Sequence, residues 1–288
     1  MTAKPVVTAI DGSAESLCAA EWAAGEALLR SVPLRIVSAA AVLPWMTGLQ
    51  VGPDRDHIAD LIRAEREKAL DAAASRAARA APGLVIVTDP VDGAPAQAVT
   101  EAGYGASMLV VGSRGVGAFT AMMLGSVSRY AADHAACPVV VVRDLPHVTS
   151  GQVAVGVDDL DATGSLAFAF EEARLRKAGL MAVHACYLPQ ASLSRAQAAW
   201  PPPGPVEAEA ARQLTALLDP WREKYPDVAV SQDVVPGHPG RALAGLSARA
   251  GMVVIGRHSG PSGRPGPGTV RHAVLSHAHG PVAVIPSG

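Results

Sequence analysis

Val110-Val111-Gly112-Ser113-Arg114-Gly115 and, after nine further residues, Gly125-Ser126-Val127-Ser128 form the stretch of sequence that decides the fold. The apolar run Met108–Val111 predicts a buried strand that ends at a glycine. An apolar helical pattern then begins at Gly125 and continues to His134. The stretch therefore predicts a strand, a loop and a helix in succession.

This strand–loop–helix junction is suited to an anion. Its glycines let the backbone approach a ligand closely, and the first turn of the helix presents N–H groups and the positive end of the helix dipole. Ser126 and Ser128 add hydroxyl donors, and Arg114 adds a charged one. Phosphate is the expected anion; the alternative at this stage is a surface loop in which a serine caps the helix.

The composition narrows the class of protein. The chain has 288 residues, which is room for about two domains, with 49% apolar residues, 17% charged residues and a formal net charge of −2. Only 4% of the residues are aromatic, and no excess of basic residues is present. We therefore expect a globular protein with an ample core and without a nucleic-acid partner.

The sequence shows neither a segment typical of membrane proteins nor a cysteine pattern typical of disulfides or zinc sites. No signal-peptide pattern follows Met1, and no apolar stretch approaches the length of a membrane span. We expect a cytoplasmic protein that does not bind membranes. The three cysteines, Cys18, Cys137 and Cys186, are widely spaced and form no CxxC motif. They are predicted to be free thiols.

Apolar strands alternate with helices through the first half of the chain. The predicted strands are Val6–Ile10, Leu34–Ala39, Leu84–Thr88, Met108–Val111 and Pro138–Val142. The first predicted helix begins at the Ser13 cap, and the other three span Asp54–Ala81, Ala94–Gly103 and Gly125–Ala135. In the second helix, Leu61, Ile62 and Ala73 are expected to face the sheet, and Glu65–Lys68 to face solvent. This alternation predicts a parallel sheet with helices on both faces.

The pattern then begins again after the polar segment Arg143–Gln152. Val153–Asp158 repeats Val6–Asp11, and later elements repeat at offsets that drift from 147 down to 143 residues. A drifting offset indicates duplication followed by small loop deletions. We therefore expect two copies of one domain, at residues 1–145 and 151–288.

The duplication also explains the histidines near the C-terminus. His277 is the counterpart of His134, and His272 and His277 are five residues apart, which does not match the spacing of a chelating pair on a helix. No metal site formed by the protein itself is expected.

Three sequence features together resemble one known family. They are Ala9-Ile10-Asp11-Gly12-Ser13 at the end of the first strand, a Gly-x2-Gly-x9-Gly-Ser motif at Gly112, Gly115, Gly125 and Ser126, and the closing segment His134–Val139. The chain resembles a tandem universal stress protein with two UspA domains. The resemblance implies a flavodoxin-like or Rossmann-like α/β fold, with a doubly wound, five-stranded parallel sheet of order 3-2-1-4-5 in each domain.

The resemblance also implies a ligand, because the glycine motif is the ATP-binding signature of this family. Asp11, with Gly12, would contact the nucleoside, and the backbone of Ala39 would face the adenine edge. The phosphates, with any Mg²⁺ they carry, would be held by the remaining residues, namely Gly112, Arg114, Gly115, Gly125, Ser126, Val127 and Ser128. Ligands in open α/β sheets lie at this edge of the sheet. A local capping role before the first helix is the alternative for Asp11.

The second copy departs from the motif. Asp158 keeps the strand-end carboxylate, and Gly256, Gly268 and Thr269 are the residues that the resemblance assigns to a ligand. The loop between them is one residue shorter than in the first copy and contains Pro261, Pro265 and Pro267, which lack a backbone N–H. Arg257, His258 and Arg264 would compensate by charge. Two alternatives stay open: a second nucleotide site, or a domain kept for structure.

The expected function is that of an ATP-binding stress-response or signalling module. No Walker A motif is present, and the four lysines, Lys4, Lys68, Lys177 and Lys224, lie far from the loop glycines in sequence. No catalytic residue is predicted. The alternatives are a weak ATPase or nucleotidyl-transfer enzyme on the same fold, and a nucleotide-free scaffold.

The last strand of each copy indicates how the protein assembles. Val139–Val142 and Val282–Ile285 are apolar and would lie at the edges of their sheets, where unpaired backbone favours association. We expect these strands to pair with each other within one chain, and two such chains to form a homodimer.

Overall fold

The structure is a computed structural model that describes residues 3–40, 54–115, 124–143, 151–158, 162–186, 204–257 and 267–286. The chain divides into two compact units, Met1–Leu145 and Pro146–Gly288. We call them the first unit and the second unit. In the described parts of the chain, no helix combines the length and the apolar character needed to cross a membrane.

The first unit is a parallel α/β domain. Its elements are β1 (Val6–Ala9), α1 (Ala14–Leu29), β2 (Leu34–Ala40), α2 (Asp54–Ala80), β3 (Ile86–Asp92), α3 (Pro95–Ala102), β4 (Met108–Gly112), α4 (Ser126–His134) and β5 (Val139–Val142). The strand order is β3-β2-β1-β4-β5, and every neighbouring pair is parallel. Because Val6 is in register with both Leu34 and Met108, the ends of β1, β2 and β4 meet at one edge of the sheet.

The second unit repeats this order of elements. They are β6 (Val153–Gly156), α5 (Thr163–Arg176), β7 (Leu180–Cys186), α6 (Pro205–Lys224), β8 (Val230–Pro236), α7 (Pro239–Leu246), β9 (Met252–Gly256), α8 (Pro267–His277) and β10 (Val282–Ile285). Its sheet has the order β8-β7-β6-β9-β10, again with parallel neighbours. The predicted parallel α/β domains are therefore confirmed.

The core of each unit lies between the helices and the central strands. All residues of β1, β4 and β5 are buried, as expected for strands covered on both faces. The buried face of α1 is made of alanines, namely Ala19, Ala20, Ala23, Ala24 and Ala27, each fully buried. Short side chains let this helix lie close to the sheet.

In helix α2, the residues that face the sheet differ from those that the sequence predicted. Leu61 and Ile62 are exposed, at 53% and 37%, whereas Leu70 and Ala73 are buried. The helix has 27 residues, or about 40 Å at 1.5 Å per residue, whereas a seven-residue strand such as β2 spans about 23 Å. The N-terminal part of α2 therefore extends past the sheet. Arg66, expected in solvent, instead donates a hydrogen bond to Asp92 at the end of β3.

Strand β3 lies further along the chain than predicted. It spans Ile86–Asp92 rather than Leu84–Thr88, and its pairing with β2 continues through Ser38↔Pro90. The strand therefore contains Pro90, which lies beyond the predicted end at Thr88. An edge strand tolerates proline, since one side of its backbone needs no ladder partner.

Candidate functional site

The candidate site is a cavity of about 110 Å³ where the ends of β1, β2 and β4 meet the first turns of α3 and α4. We call it the strand-end cavity. Its lining is more apolar than polar. The lining residues are Ala9, Ile10, Asp11, Ser16, Ala39, Pro95, Val99, Val111, Gly112, Arg114, Gly115, Gly125, Ser126, Val127 and Ser128.

Most of the first-copy residues that the sequence assigned to a site meet in this cavity. Asp11, Ala39 and the assigned residues of both glycine segments are all part of the lining. Gly12 is not. It has a φ of +85°, and a Cβ there would face Ala69. Gly12 therefore serves the turn after β1, where a left-handed conformation favours glycine.

The two carboxylate oxygens of Asp11 have different neighbours. Its Oδ1 accepts hydrogen bonds from the backbone N–H of Ser13 at 3.0 Å and from the Ser13 hydroxyl at 2.6 Å. The Ser13 hydroxyl in turn accepts from the N–H of Ser16 and caps α1. The Oδ2 atom faces Gly115, because a Cβ built on that glycine would lie 2.2 Å from it. The local capping role and the placement in the cavity are therefore both present.

The glycines of the motif are needed for different reasons. A Cβ on Gly112 would lie 3.0–3.1 Å from backbone atoms of Glu15 and Ser16, so this glycine lets the start of α1 cross the end of β4. A Cβ on Gly125 would meet nothing closer than 3.4 Å, and the residue has an ordinary extended backbone. Packing within the protein therefore explains Gly112 and gives no reason for Gly125.

Helix α4 begins at the cavity without a side-chain cap. Gly125 occupies the cap position, its own N–H donates to the carbonyl of Ser113 at 2.8 Å, and its carbonyl accepts from Arg129. The next three residues, Ser126–Ser128, line the cavity. An uncapped helix start of this kind offers backbone N–H donors and the positive end of a helix dipole to a ligand.

Ser128 corrects the predicted role of its side chain. Its hydroxyl is buried and donates to the carbonyl of Gly112 at 2.6 Å. A serine has one O–H to donate, so this donor is used to hold α4 on the end of β4. The Ser126 side chain, by contrast, is exposed at the cavity.

Arg114 is held beside the cavity by an ion pair. Its Nη2 lies 3.1 Å from Oε1 of Glu15 in the first turn of α1, and both side chains are about one quarter exposed. Sequence reasoning missed Glu15, although an acidic residue in a first helical turn that follows a strand end is a usable signal. The guanidinium thus lies at the cavity, where the Glu15 carboxylate would compete with an anionic ligand for it.

The sequence also gave no role to the apolar wall of the cavity. Pro95 and Val99 belong to the first turns of α3, and they lie opposite Ile10 and Val111 at the strand ends. The available signal was the position of α3 directly after β3, since helices that follow parallel strands begin at the same edge of the sheet. Ser16 was missed as well; its hydroxyl donates to the carbonyl of Ser13 at 2.9 Å.

The residues assigned in the second copy lie at corresponding strand and helix ends. Asp158 is exposed after β6, and Gly256 ends β9. Helix α8 begins at Pro267, so Gly268 and Thr269 belong to its first turn, whereas Gly125 precedes α4. This difference corrects the expected equivalence of the two helix starts. The proposed compensating residues His258 and Arg264, like Pro261 and Pro265, fall outside the described residues.

The described cysteines lie away from the cavity lining. Cys18 and Cys137 are free thiols, and burial raises the pKa of the Cys137 thiol to about 11. A thiol of that pKa is inert at neutral pH. These cysteines therefore add no nucleophile to the site.

Comparison with known proteins identifies the class to which this pair of α/β units belongs. A sequence model of the universal stress protein family matches residues 2–143 and again residues 150–286. The chain belongs to the universal stress protein family, with two of its flavodoxin-like domains in tandem.

Similar proteins span the whole chain. Universal stress protein Rv2005c of Mycobacterium tuberculosis is 34% identical over 302 residues, covering 97% of this chain and 96% of that protein. Universal stress protein Rv2623 of the same organism is 34% identical over 294 residues, with 97% and 95% coverage. The crystal structure of a universal stress protein from Archaeoglobus fulgidus matches with a TM-score of 0.69 and 18% identity, covering 99% of this chain and 98% of that one. That structure shares the fold along the entire chain.

Proposed function

We propose that the first unit binds ATP at the strand-end cavity and that the protein is a nucleotide-dependent stress-response module. The observation that carries this proposal is the uncapped start of α4, which meets the Asp11 carboxylate and an apolar wall in one cavity. Universal stress proteins share the fold, and the complete glycine motif lies at this edge of the sheet.

The parts of the cavity suit the parts of a nucleotide. The wall formed by Ile10, Pro95 and Val99 would pack against the base, and Asp11 would accept hydrogen bonds from ribose hydroxyls. The described cavity is smaller than the roughly 300–1,000 Å³ of drug-sized ligand sites. It would therefore hold only part of the nucleotide, with the base against the apolar wall and the phosphates extending outward along the start of α4.

The start of α4 supports the phosphate end of this proposal. Among the described residues, none would lie closer than 3.4 Å to a Cβ at Gly125, so a ligand could approach the backbone of this N-cap glycine closely. The N–H groups of the first turn would donate to phosphate oxygens, and Arg114 would exchange Glu15 for phosphate. Mg²⁺ bound to ATP would offset the negative charge of Asp11 and Glu15.

Binding is favoured over catalysis by the titratable groups of the cavity. Asp11 and Arg114 are the ionisable side chains in the described lining. Asp11 is engaged with Ser13, and an arginine does not act as a base at neutral pH. Slow ATP hydrolysis is the alternative activity, and it would use water bound beside the phosphates.

The proposal is tested by removing one backbone N–H. Ser126 is the first residue of α4, where proline is well tolerated, so Ser126→Pro deletes an N–H and a hydroxyl while Ser126→Ala deletes only the hydroxyl. Loss of one hydrogen bond to a charged group weakens binding by about 10- to 100-fold. By isothermal titration with Mg·ATP, we expect that loss for the proline variant and a smaller loss for alanine. Equal affinity of the proline variant and the wild type would contradict the proposal.

A further inference from the structure

The two units differ at the wall of the cavity in a pair of positions that change together. Ala9 is the fourth residue of β1 and Val99 the fifth residue of α3, and both line the strand-end cavity. In the second unit, the same positions of β6 and α7 carry Gly156 and Leu243. The strand residue has become smaller and the helix residue larger.

In the second unit, Leu243 lies where a Cβ of residue 156 would need space. A Cβ built on Gly156 would lie 2.7 Å from Cδ1 and 3.2 Å from Cδ2 of Leu243, and 3.6 Å from Cγ2 of Ile255. Ile255 is the fourth residue of β9 and corresponds to Val111, which also lines the first-unit cavity. Leu243 and Ile255 are buried, as Val99 and Val111 are in the first unit. The units therefore differ in the space between the strand residue and the helix residue, which Leu243 fills in the second unit.

We infer that the Gly156–Leu243 pair closes the nucleoside cavity of the second unit, so that the chain binds one adenine nucleotide, in its first unit. The absence of a Cβ at Gly156 is what lets the leucine reach the strand, because a methyl group there would overlap Cδ1. Protein interiors do not yield easily to an added group, so a base would have to displace a buried leucine that is already in contact.

The start of helix α8 also supports this inference. Helix α8 begins with Pro267, so its first residue lacks the N–H that Ser126 carries at the start of α4. The second unit thus differs from the first both at the wall that would receive the base and at the helix that would receive phosphate. This inference rests on the proposed function of the first unit.

The experiment exchanges the pair between the units and locates the bound nucleotide. The protein is irradiated with 8-azido-ATP, and the labelled peptides are assigned by mass spectrometry to the first or the second unit. We expect label in the first unit of the wild type. Ala9→Gly with Val99→Leu, which brings the second-unit pair into the first unit, is expected to weaken labelling by about 10- to 100-fold, because the leucine would fill space that the base needs.

The reciprocal variant tests the cause. Gly156→Ala and Leu243→Val, combined with Pro267→Ser, restore the first-unit residues at both the wall and the helix start, and label is then expected in the second unit as well. Thermal unfolding of each variant verifies that it is folded. Label in the second unit of the wild type, or none in the second unit of the folded triple variant, would overturn the inference. No label in either unit of the wild type would instead refute the proposed nucleotide function, and the inference with it.

Discussion

At the scale of single residues, the site depends on how Asp11 and Gly115 share space. One carboxylate oxygen of Asp11 holds the turn before α1, and the other lies against Gly115. Because the atom nearest to a new Cβ is the end of a side chain, a larger residue at 115 would move the carboxylate rather than the backbone. The glycine thus positions Asp11 toward the cavity.

Gly115→Ala is expected to weaken nucleotide binding with little change in stability. The added methyl would lie 2.2 Å from Oδ2 of Asp11 and would force that carboxylate to rotate. The measurement is a double-mutant cycle by isothermal titration with Mg·ATP. If the glycine acts through Asp11, then Gly115→Ala adds no further loss in an Asp11→Ala background. Additive losses would show that the glycine acts independently. Gly25→Ala, where a Cβ meets nothing within 4 Å, is the matched control.

Gly112→Ala is expected to lower stability with or without nucleotide. Its Cβ would lie 3.0–3.1 Å from the backbone of Glu15 and Ser16, which has less freedom to move than a side-chain end. Overpacking of this kind costs about 1–3 kcal/mol. Urea unfolding of the nucleotide-free protein measures it. An unchanged unfolding free energy would assign Gly112 to ligand binding alone, as the glycine motif by itself suggests.

At the scale of elements, the sequence predicts most of the strands but not the bounds of the edge strand or the exposure of the helix beside it. Continuous valine and leucine runs identify β1, β4 and β5, because strands buried on both faces admit little else. The bounds of β3 were wrong, since an edge strand continues through Pro90 where a central strand would stop. The exposure of Leu61 follows from the length of α2 relative to the sheet, which periodicity does not report.

The side chains of the site show a similar division. Asp11 after the first strand, and Arg114 and the start of α4 within the glycine motif, were assigned to one site and do line one cavity. The hydroxyl of Ser128 was assigned to a ligand, but it bonds to Gly112, sixteen residues away in sequence. Contacts of that kind, like the wall provided by Val99, depend on which elements pack together and are not encoded in a local motif.

Substitutions of two leucines of α2 distinguish the part of this helix that packs on the sheet from the part that extends past it. Leu70→Ala removes a side chain that is 4% exposed and is expected to cost about 2–5 kcal/mol. Leu61→Ala, in the same helix at 53% exposure, is expected to change stability by less than about 0.5 kcal/mol. Urea unfolding compares them. Equal losses would mean that the start of α2 is packed rather than overhanging.

At the scale of the whole molecule, the duplication is visible in contacts as well as in sequence. Glu26 in α1 and Arg30 at its C-cap form a buried ion pair at 2.8 Å, and Glu172 and Arg176 in α5 form its counterpart at 3.0 Å. His134 and His277 each place Nδ1 2.9 Å from a carbonyl one turn earlier in their helices. The framework was therefore retained in both units while the cavity wall changed.

Adjacent glutamates test the value of the retained ion pair. Glu172→Gln keeps the shape of a fully buried side chain and removes the charge opposite Arg176, so we expect a loss of about 3 kcal/mol. Glu171→Gln breaks the partly exposed pair with Arg174 and is expected to have little effect, because water screens it. Chemical denaturation of both variants provides the comparison. A Glu172→Gln variant as stable as Glu171→Gln would show that the buried charge is dispensable.

The proline in β3 has a consequence for the behaviour of the protein in concentrated solution. Pro90 lies in the outermost strand of the first sheet, where it contributes no N–H to any further ladder. Asp89 and Asp92 lie on the same strand and form ion pairs with Arg35 and Arg66. A strand added from another molecule would find a missing backbone donor along this border. The outer border of the first unit is thus a poor template for polymerisation, and we expect the protein to resist edge-to-edge association at high concentration.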